Sequence, residues 1–389
     1  MLIRKVFKFK LKTNYKTNQE LTKISGHCRF LWNKCLSLNK ERLNNKQRIL
    51  YYNELSFWNT IWKSSDEYSF LKECPSQVLQ QKIKDLDKAF KDAFDKQQPN
   101  KRLPRFKKKG LNNNFRFPQG FKVQGNQVYL PKIGWLGFHK SRDIVGKTKN
   151  ITISKYANDW YVSIQTEQEI TEATHSSKTI VGIDLGVVKL ATLSDGTYYQ
   201  PKNSFKKLAN KLRTEQRALS RKKKFSNNWK KQKPKITKIH KTIANARKDY
   251  LHWITTRISK NHAMIVLEDL KVKNMTKSAK GTIDNPGKNV KAKSGLNKSI
   301  LDQGWGEFKR QLEYKQKWRG GDVILVNPKY TSQACSVCNN VCADNRTSQS
   351  EFKCVACGHK TNADFNAALN VLRAGHVQLA CGDIERVTA

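Results

Sequence analysis

The chain has 389 residues, 38% of them hydrophobic, with 75 Lys and Arg against 31 Asp and Glu and a formal net charge of +44. That length holds two or three domains with real cores, and that charge opposes compaction unless a polyanion neutralises it, which points to nucleic acid. No run approaches the roughly 18 apolar residues of a membrane span. The amino-terminal MLIRKVFKFKLK alternates basic and apolar residues, whereas a signal peptide needs a continuous apolar stretch. An intracellular protein with no membrane partner is expected, and nine Cys in a reducing compartment suggest metal or buried thiols before disulfides.

In chain order, residues 6–12 read as a strand with Phe7, Phe9 and Leu11 on one side and Lys8, Lys10 and Lys12 on the other. Residues 18–97 read as helical. Leu79, Ile83, Leu86, Phe90 and Phe94 recur at helical spacing, Ser76 after Pro75 suits a cap, and Trp32, Trp58 and Trp62 with Leu31, Leu36 and Phe57 supply a small core. PNKRLPRFKKKG at 99–110 is a basic connector. Short strands with turns follow at 114–117, 127–130, 150–155 and 159–166, the pattern of a small β-barrel completed by the first strand. Aromatics interleaved with cations there suit a nucleic-acid surface, although at least half of them read as core.

Residues 166–177 read as a linker. The run IVGIDLGVVKLATL at 180–193 is a buried strand ending in Asp184, and Asp195-Gly196 marks a hairpin turn before a third strand near 197–200. Residues 201–250 carry 18 Lys and Arg and only two acids, Glu215 and Asp249, in a helical hairpin broken near 226–234. AMIVLEDL at 263–270 is a second apolar strand. The Gly-, Lys- and Asn-rich stretch 271–299 reads as a mobile loop. A helix over 301–318, a strand over 322–326 and a final helix from about Asn362 complete the chain.

Asp184, Glu268 and Asp364 stand out by setting: one within a strand, one at a strand end, one opening a helix. The order meander, helices, strand, helix, strand, helix is that of an RNase H-like α/β domain, in which the three acids converge at one edge of the sheet. Clustered carboxylates are costly unless cations occupy the site. Oxygen ligands select Mg²⁺ or Mn²⁺, and two such ions can activate water against a phosphodiester. Asp269 points to the other side of its strand and reads as a supporting acid or helix cap.

Cys335-x-x-Cys338 and Cys354-x-x-Cys357 are separated by 15 residues, a spacing that reads as one closed, structural Zn²⁺ site. Gly358 and Asn339 follow the two pairs, as a left-handed knuckle turn needs. Cys342 and His359 are nearby spares, and Cys28, Cys35, Cys74 and Cys381 have no partner pattern.

With these residues on hand, the chain resembles the TnpB (OrfB) family of small bacterial insertion sequences, relatives of type V CRISPR nucleases. The matching stretches are GIDLGVVKLATLSDG at 182–196, VLEDLKVKNM at 266–275, VNPKYTSQACSVC at 326–338, FKCVACGH at 352–359 and NADFNAALNVL at 362–372. GHCRFLWN at 26–33, LPRFKKK at 103–109 and LPKIGWLGF at 130–138 add to the match. The resemblance implies a multidomain α+β protein. It would have a β-barrel wedge (1–12 and 100–170), a helical recognition insertion (13–99), a RuvC-like RNase H domain (171–329 and 359–389) and an inserted zinc ribbon (330–358). It further implies an RNA-guided, Mg²⁺-dependent DNA endonuclease in a prokaryotic cytoplasm, associated with the nucleoid and monomeric with its RNA. A guide RNA encoded by the element would pair with double-stranded target DNA beside a short motif. Carried over by motif, Asp184, Glu268 and Asp364 are the catalytic and Mg²⁺-binding acids, and Cys335, Cys338, Cys354 and Cys357 the Zn²⁺ ligands. A lid role for 271–299 goes with the loop reading. A transposase acting directly on transposon DNA, or a guide-bound repressor, are the alternatives.

Overall fold

The structure, a computed structural model, describes residues 2–110, 113–171 and 173–381, so the last residues of the expected nuclease segment, 382–389, lie outside it. The chain splits into two units between residues 170 and 171.

Unit 1 opens with β1 (Leu2–Lys10), whose inward side chains include Ile3, Phe7 and Phe9. The long α1 (Tyr15–Asn44) starts at Asn14, whose side chain accepts from the Thr17 N–H at 2.8 Å. Then come α2 (Tyr52–Ser64) and α3 (Ser76–Phe94). Helix α3 buries Leu79, Ile83, Leu86 and Phe90 as expected, but its cap position is Pro75, and Phe94 is exposed. Helix α2 buries Leu55, Asn59 and Trp62 on one stripe, which turns Phe57 (65% exposed) and Trp58 (39%) to solvent and out of the expected core.

The strands β2 (Asn114–Phe117), β3 (Lys122–Gln124), β4 (Gln127–Leu130), β5 (Gly134–Gly137), β6 (Lys147–Tyr156) and β7 (Asp159–Glu169) follow. They do not form one continuous sheet. A four-stranded sheet runs β1-β7-β6-β2 and a three-stranded sheet runs β3-β4-β5, with a bridge between Leu11 and Phe138 joining them. Both sheets and the helices share one core, in which Phe9 stacks on Phe138 at 5.0 Å. Strand β7 pairs with β1 as far as Glu169, so the expected linker begins four residues later than its sequence suggests.

Unit 2 is built on a five-stranded sheet of β8 (Ile180–Asp184), β9 (Ala191–Leu193), β10 (Tyr198–Tyr199), β11 (Met264–Glu268) and β12 (Asp322–Val326). Its order is β10-β9-β8-β11-β12, with the first three an antiparallel meander and β8, β11 and β12 parallel. Helices α4 (Ser204–Ser220), α5 (Asn227–Asn261), α6 (Val272–Met275), α7 (Val290–Gln303), α8 (Trp305–Arg319) and α9 (Ala363–Ala380) complete the unit with the small hairpin β13 (Glu351–Lys353) and β14 (Lys360–Asn362). Strand alternation gives the sheet two buried faces. Val181, Ile183, Ile265 and Leu267 pack on Leu251, Ile254 and Ile258 of α5 and Phe308 and Leu312 of α8. Val266, Ile324 and Val326 pack on Val371 of α9.

Two expectations change here. The hairpin α4–α5 breaks at 221–226, and α5 runs through Pro234. Packing of Leu212 against Ile239 and Ile243 holds α5 together past the backbone bond that proline cannot make. The segment 271–299 is not a structureless loop. It holds α6 and most of α7, pinned where Lys293 Nζ donates to Met275 O at 2.8 Å, Asn297 Nδ2 donates to Thr276 O at 3.0 Å, and Ile300 is buried in the core.

Candidate active site and zinc knuckles

The two-residue period of a strand places Gly182 and Asp184 of β8 on the α9 face, while Ile183 faces α5 and α8. Likewise Val266 and Glu268 of β11 face α9. Parallel pairing sets Ile183 beside Leu267, so the strand-end residues Asp184 and Glu268 emerge side by side. Helix α9 crosses this face, and its amino end carries Asp364. Asn362 caps it by accepting from the Phe365 N–H at 3.3 Å. The crossing is close because the strand residue beneath is glycine. A Cβ on Gly182 would lie 2.5 Å from Leu372 N and also collide with the Ala368 carbonyl. Gly375 gives the same freedom on the helix side, where a Cβ would meet Val266 Cγ2 at 2.5 Å.

The three acids therefore converge. Burial first, then the charges of Glu268 and Asp364, push the Asp184 carboxyl up to about 7, with Arg346 and the Leu185 N–H opposing. Burial also raises Glu268, offset by a 2.5 Å hydrogen bond that Thr331 Oγ1 donates to Glu268 Oε1. Such mutual repulsion marks a site that a cation relieves, and an all-oxygen donor set suits a hard divalent ion. Asp269 turns away, its carboxylate paired with Lys309 at 3.2 Å and with Lys271. Thr331 and Arg346 escaped the sequence reading. Both flank or lie within the cysteine segment, and neither type announces a role without the fold.

The four thiol sulfurs of Cys335, Cys338, Cys354 and Cys357 lie within 4.8 Å of one another. The two knuckles repeat one geometry. Asn339 (φ 63°) and Gly358 (φ 73°) take the left-handed turn, and the Val337 and Cys357 amides each donate to a sulfur at 3.5 Å. The Cys357 amide leads in lowering the Cys354 thiol to about 7. The buried Asn345 ties the knuckles together, donating to Gln333 O at 2.9 Å and accepting from the Val355 N–H at 2.9 Å. Four thiolates with no open position fit a structural zinc.

The knuckles rest on the helix that carries Asp364. Asn366 accepts from the Ser336 N–H at 2.9 Å and donates to Ala334 O at 2.8 Å, and Asn370 donates to Thr331 O at 2.9 Å. Loss of the metal is therefore expected to reach the acids. The purified protein should carry about one zinc per chain, and Cys354→Ser should lose it, lower the melting temperature and abolish the activity expected of the three acids together. A zinc-free variant of unchanged activity would refute this coupling.

The fold is that of a multidomain α+β effector of the Cas12 type. The chain superposes on the protein of a Cas12f1–sgRNA–target DNA complex with a TM-score of 0.54 at 15% identity, covering 95% of this chain and 98% of that one. Family models match residues 163–279 ("Probable transposase", OrfB of IS605), 305–371 ("Cas12f1-like, TNB domain") and 1–48 ("Helix-turn-helix domain"). That last segment is one strand and one long helix in this structure. The chain is 51% identical over 380 residues to InsQ of Escherichia coli strain K12, which is named for RNA-guided DNA endonuclease activity. The match covers 97% of this chain and 94% of InsQ. A Streptomyces pristinaespiralis protein named for the same activity is 32% identical, covering 98% of this chain and 92% of its own. This chain belongs to the TnpB (OrfB) family.

Proposed function

We propose that this chain is an RNA-guided DNA endonuclease of an insertion sequence, with Asp184, Glu268 and Asp364 as its catalytic carboxylates. The observation that carries the reading is their convergence on the α9 face of the sheet, where burial and the charges of Glu268 and Asp364 raise the cost of ionising Asp184. In this reading unit 2 is the RuvC-like domain with the zinc ribbon inserted, and unit 1 combines the wedge strands with the helical recognition insertion. Mg²⁺ or Mn²⁺ held by the three acids would supply an activated water and a stabilised leaving oxygen. Glu268 is aimed by Thr331, and Arg346 tempers the negative charge around Asp184. Guide pairing reads sequence, so the protein needs mainly backbone contacts, which suits 75 Lys and Arg.

The test is to express the protein with its native downstream DNA, wash at high salt and sequence the RNA that remains. A single species with an element-derived scaffold and a variable 3′ segment is expected, and DNA matching that segment should be cut to 5′-phosphate and 3′-hydroxyl ends. Heterogeneous RNA, or none, would remove the guide. The family model's description as a transposase favours a second reading, which predicts strand-transfer products in the same assay. Thr331→Val removes the donor to Glu268. It should raise the Mg²⁺ concentration for half-maximal cutting by roughly 10-fold or more, the usual effect of losing a partner that orients a metal ligand. An unchanged Mg²⁺ profile would show that Thr331 only supports the knuckle.

A further inference from the structure

Three residues stand in one row across the sheet: Asp184 pairs with Thr192, and Thr192 pairs with Tyr198. Residues opposed across antiparallel strands share a face and lie about 5 Å apart, so Tyr198 sits on the α9 face roughly 10 Å from Asp184. Its neighbour Tyr199 takes the other face, buried against Trp253. Thr192 between them is buried and short, while Tyr198 is 54% exposed on the edge strand β10. Lys189 Nζ lies 5.0 Å from the centre of the Tyr198 ring and donates to Asn362 Oδ1 at 3.4 Å. Asn362 is the cap of the helix that carries Asp364. Among the described residues both partners of Lys189 are uncharged, so its ammonium can still meet an anion.

An exposed ring with a cation on one side, in register with a nuclease carboxylate, has the chemistry of a nucleotide subsite. We propose that Tyr198 and Lys189 hold the DNA strand being cut, the ring stacking on a base next to the scissile phosphate and the ammonium pairing with a flanking phosphate. The proposal rests on the nuclease reading above. Stacking tolerates any base, because every base has a π-face, and this suits an enzyme whose sequence choice belongs to a guide. Tyr198 and Lys189 would then be positioning residues that fix the phosphate against the acids.

The experiment uses full-length, guide-loaded protein. Asp184→Asn, alone and combined with Tyr198→Ala or Tyr198→Phe, is mixed with matched target DNA carrying 2-aminopurine at positions around the cut. Quenching at one or two positions is expected with Asp184→Asn and retained with Phe, but lost with Ala. In the otherwise wild-type background, Tyr198→Ala should raise the DNA concentration for half-maximal cutting roughly 10-fold, within the range for loss of one base–aromatic stack. Tyr198→Phe should stay near wild type, and equal melting temperatures would confirm the fold, since the side chain is exposed. Unchanged quenching in the Ala variant overturns the subsite, and equal loss in the Phe variant overturns stacking in favour of the hydroxyl. Cutting by Asp184→Asn at the wild-type rate is a separate result: it removes the nuclease reading and the subsite with it.

Discussion

Asp184→Asn is expected to lower guide-dependent target cutting by at least roughly 10³-fold, the effect of losing several kcal/mol of metal-borne charge stabilisation. The same change should make the metal-free protein more stable. A carboxyl pushed up to about 7 by burial and two like charges is one the folded state would sooner leave protonated. Below its unfolded value near 4 the group is protonated in both states and has no effect. As pH rises through the interval up to about 7 the penalty grows, and above that it is complete. Asparagine removes the charge and keeps the shape, so the gain should be roughly 2–4 kcal/mol at pH 8 and near zero at pH 4. Thermal melts in chelator at the two pH values measure it. Retained cutting would reject the catalytic assignment, and a loss of stability at pH 8 would reject the electrostatic account.

Gly182→Val should damage both the fold and the activity of unit 2. The added Cβ meets Leu372 N at 2.5 Å and Leu372 Cα at 2.8 Å, and these are backbone atoms of α9 that no rotamer change can clear. The helix must lift from the sheet, at a cost of about 3 kcal/mol or more. That corresponds to a melting temperature roughly 5–10 °C lower for a unit of this size. Because α9 carries Asp364 at its first turn and braces the knuckles through Asn366 and Asn370, cutting should fall at least about 100-fold, since geometry a fraction of an ångström off is costly in such sites. Gly295→Ala is the control: a Cβ there meets nothing within 4 Å, so stability should hold or rise slightly. Wild-type melting and cutting by Gly182→Val would show that α9 does not need this close approach.

Much of unit 2's local structure was legible before the fold, because it depends on short-range pattern. The apolar runs ending in Asp184 and Glu268 are strands in the structure, and Asn362 caps the last helix. The two Cys pairs close into one cluster, with left-handed Asn339 and Gly358 where knuckle turns need them. Strand alternation, capping and thiol spacing are all set within a few residues, so neighbours along the chain are enough to read them.

The rest depends on groups far apart in sequence. Thr331 is an ordinary hydroxyl until it meets Glu268, 63 residues away. Phe57 and Trp58 read as core until α2 turns them to solvent, and α7 reads as loop until Ile300 finds a buried place against unit 2's core. Composition and local spacing alone determined a highly basic α+β chain with two Cys pairs at the spacing of a zinc site and three acids set at two strand ends and a helix start. Which face each acid takes, what brings α9 within touching distance of β8, and which tyrosine shares Asp184's row were decided only by tertiary packing. Register and helix approach are set by how distant side chains fill space together, and no window along the chain contains that information.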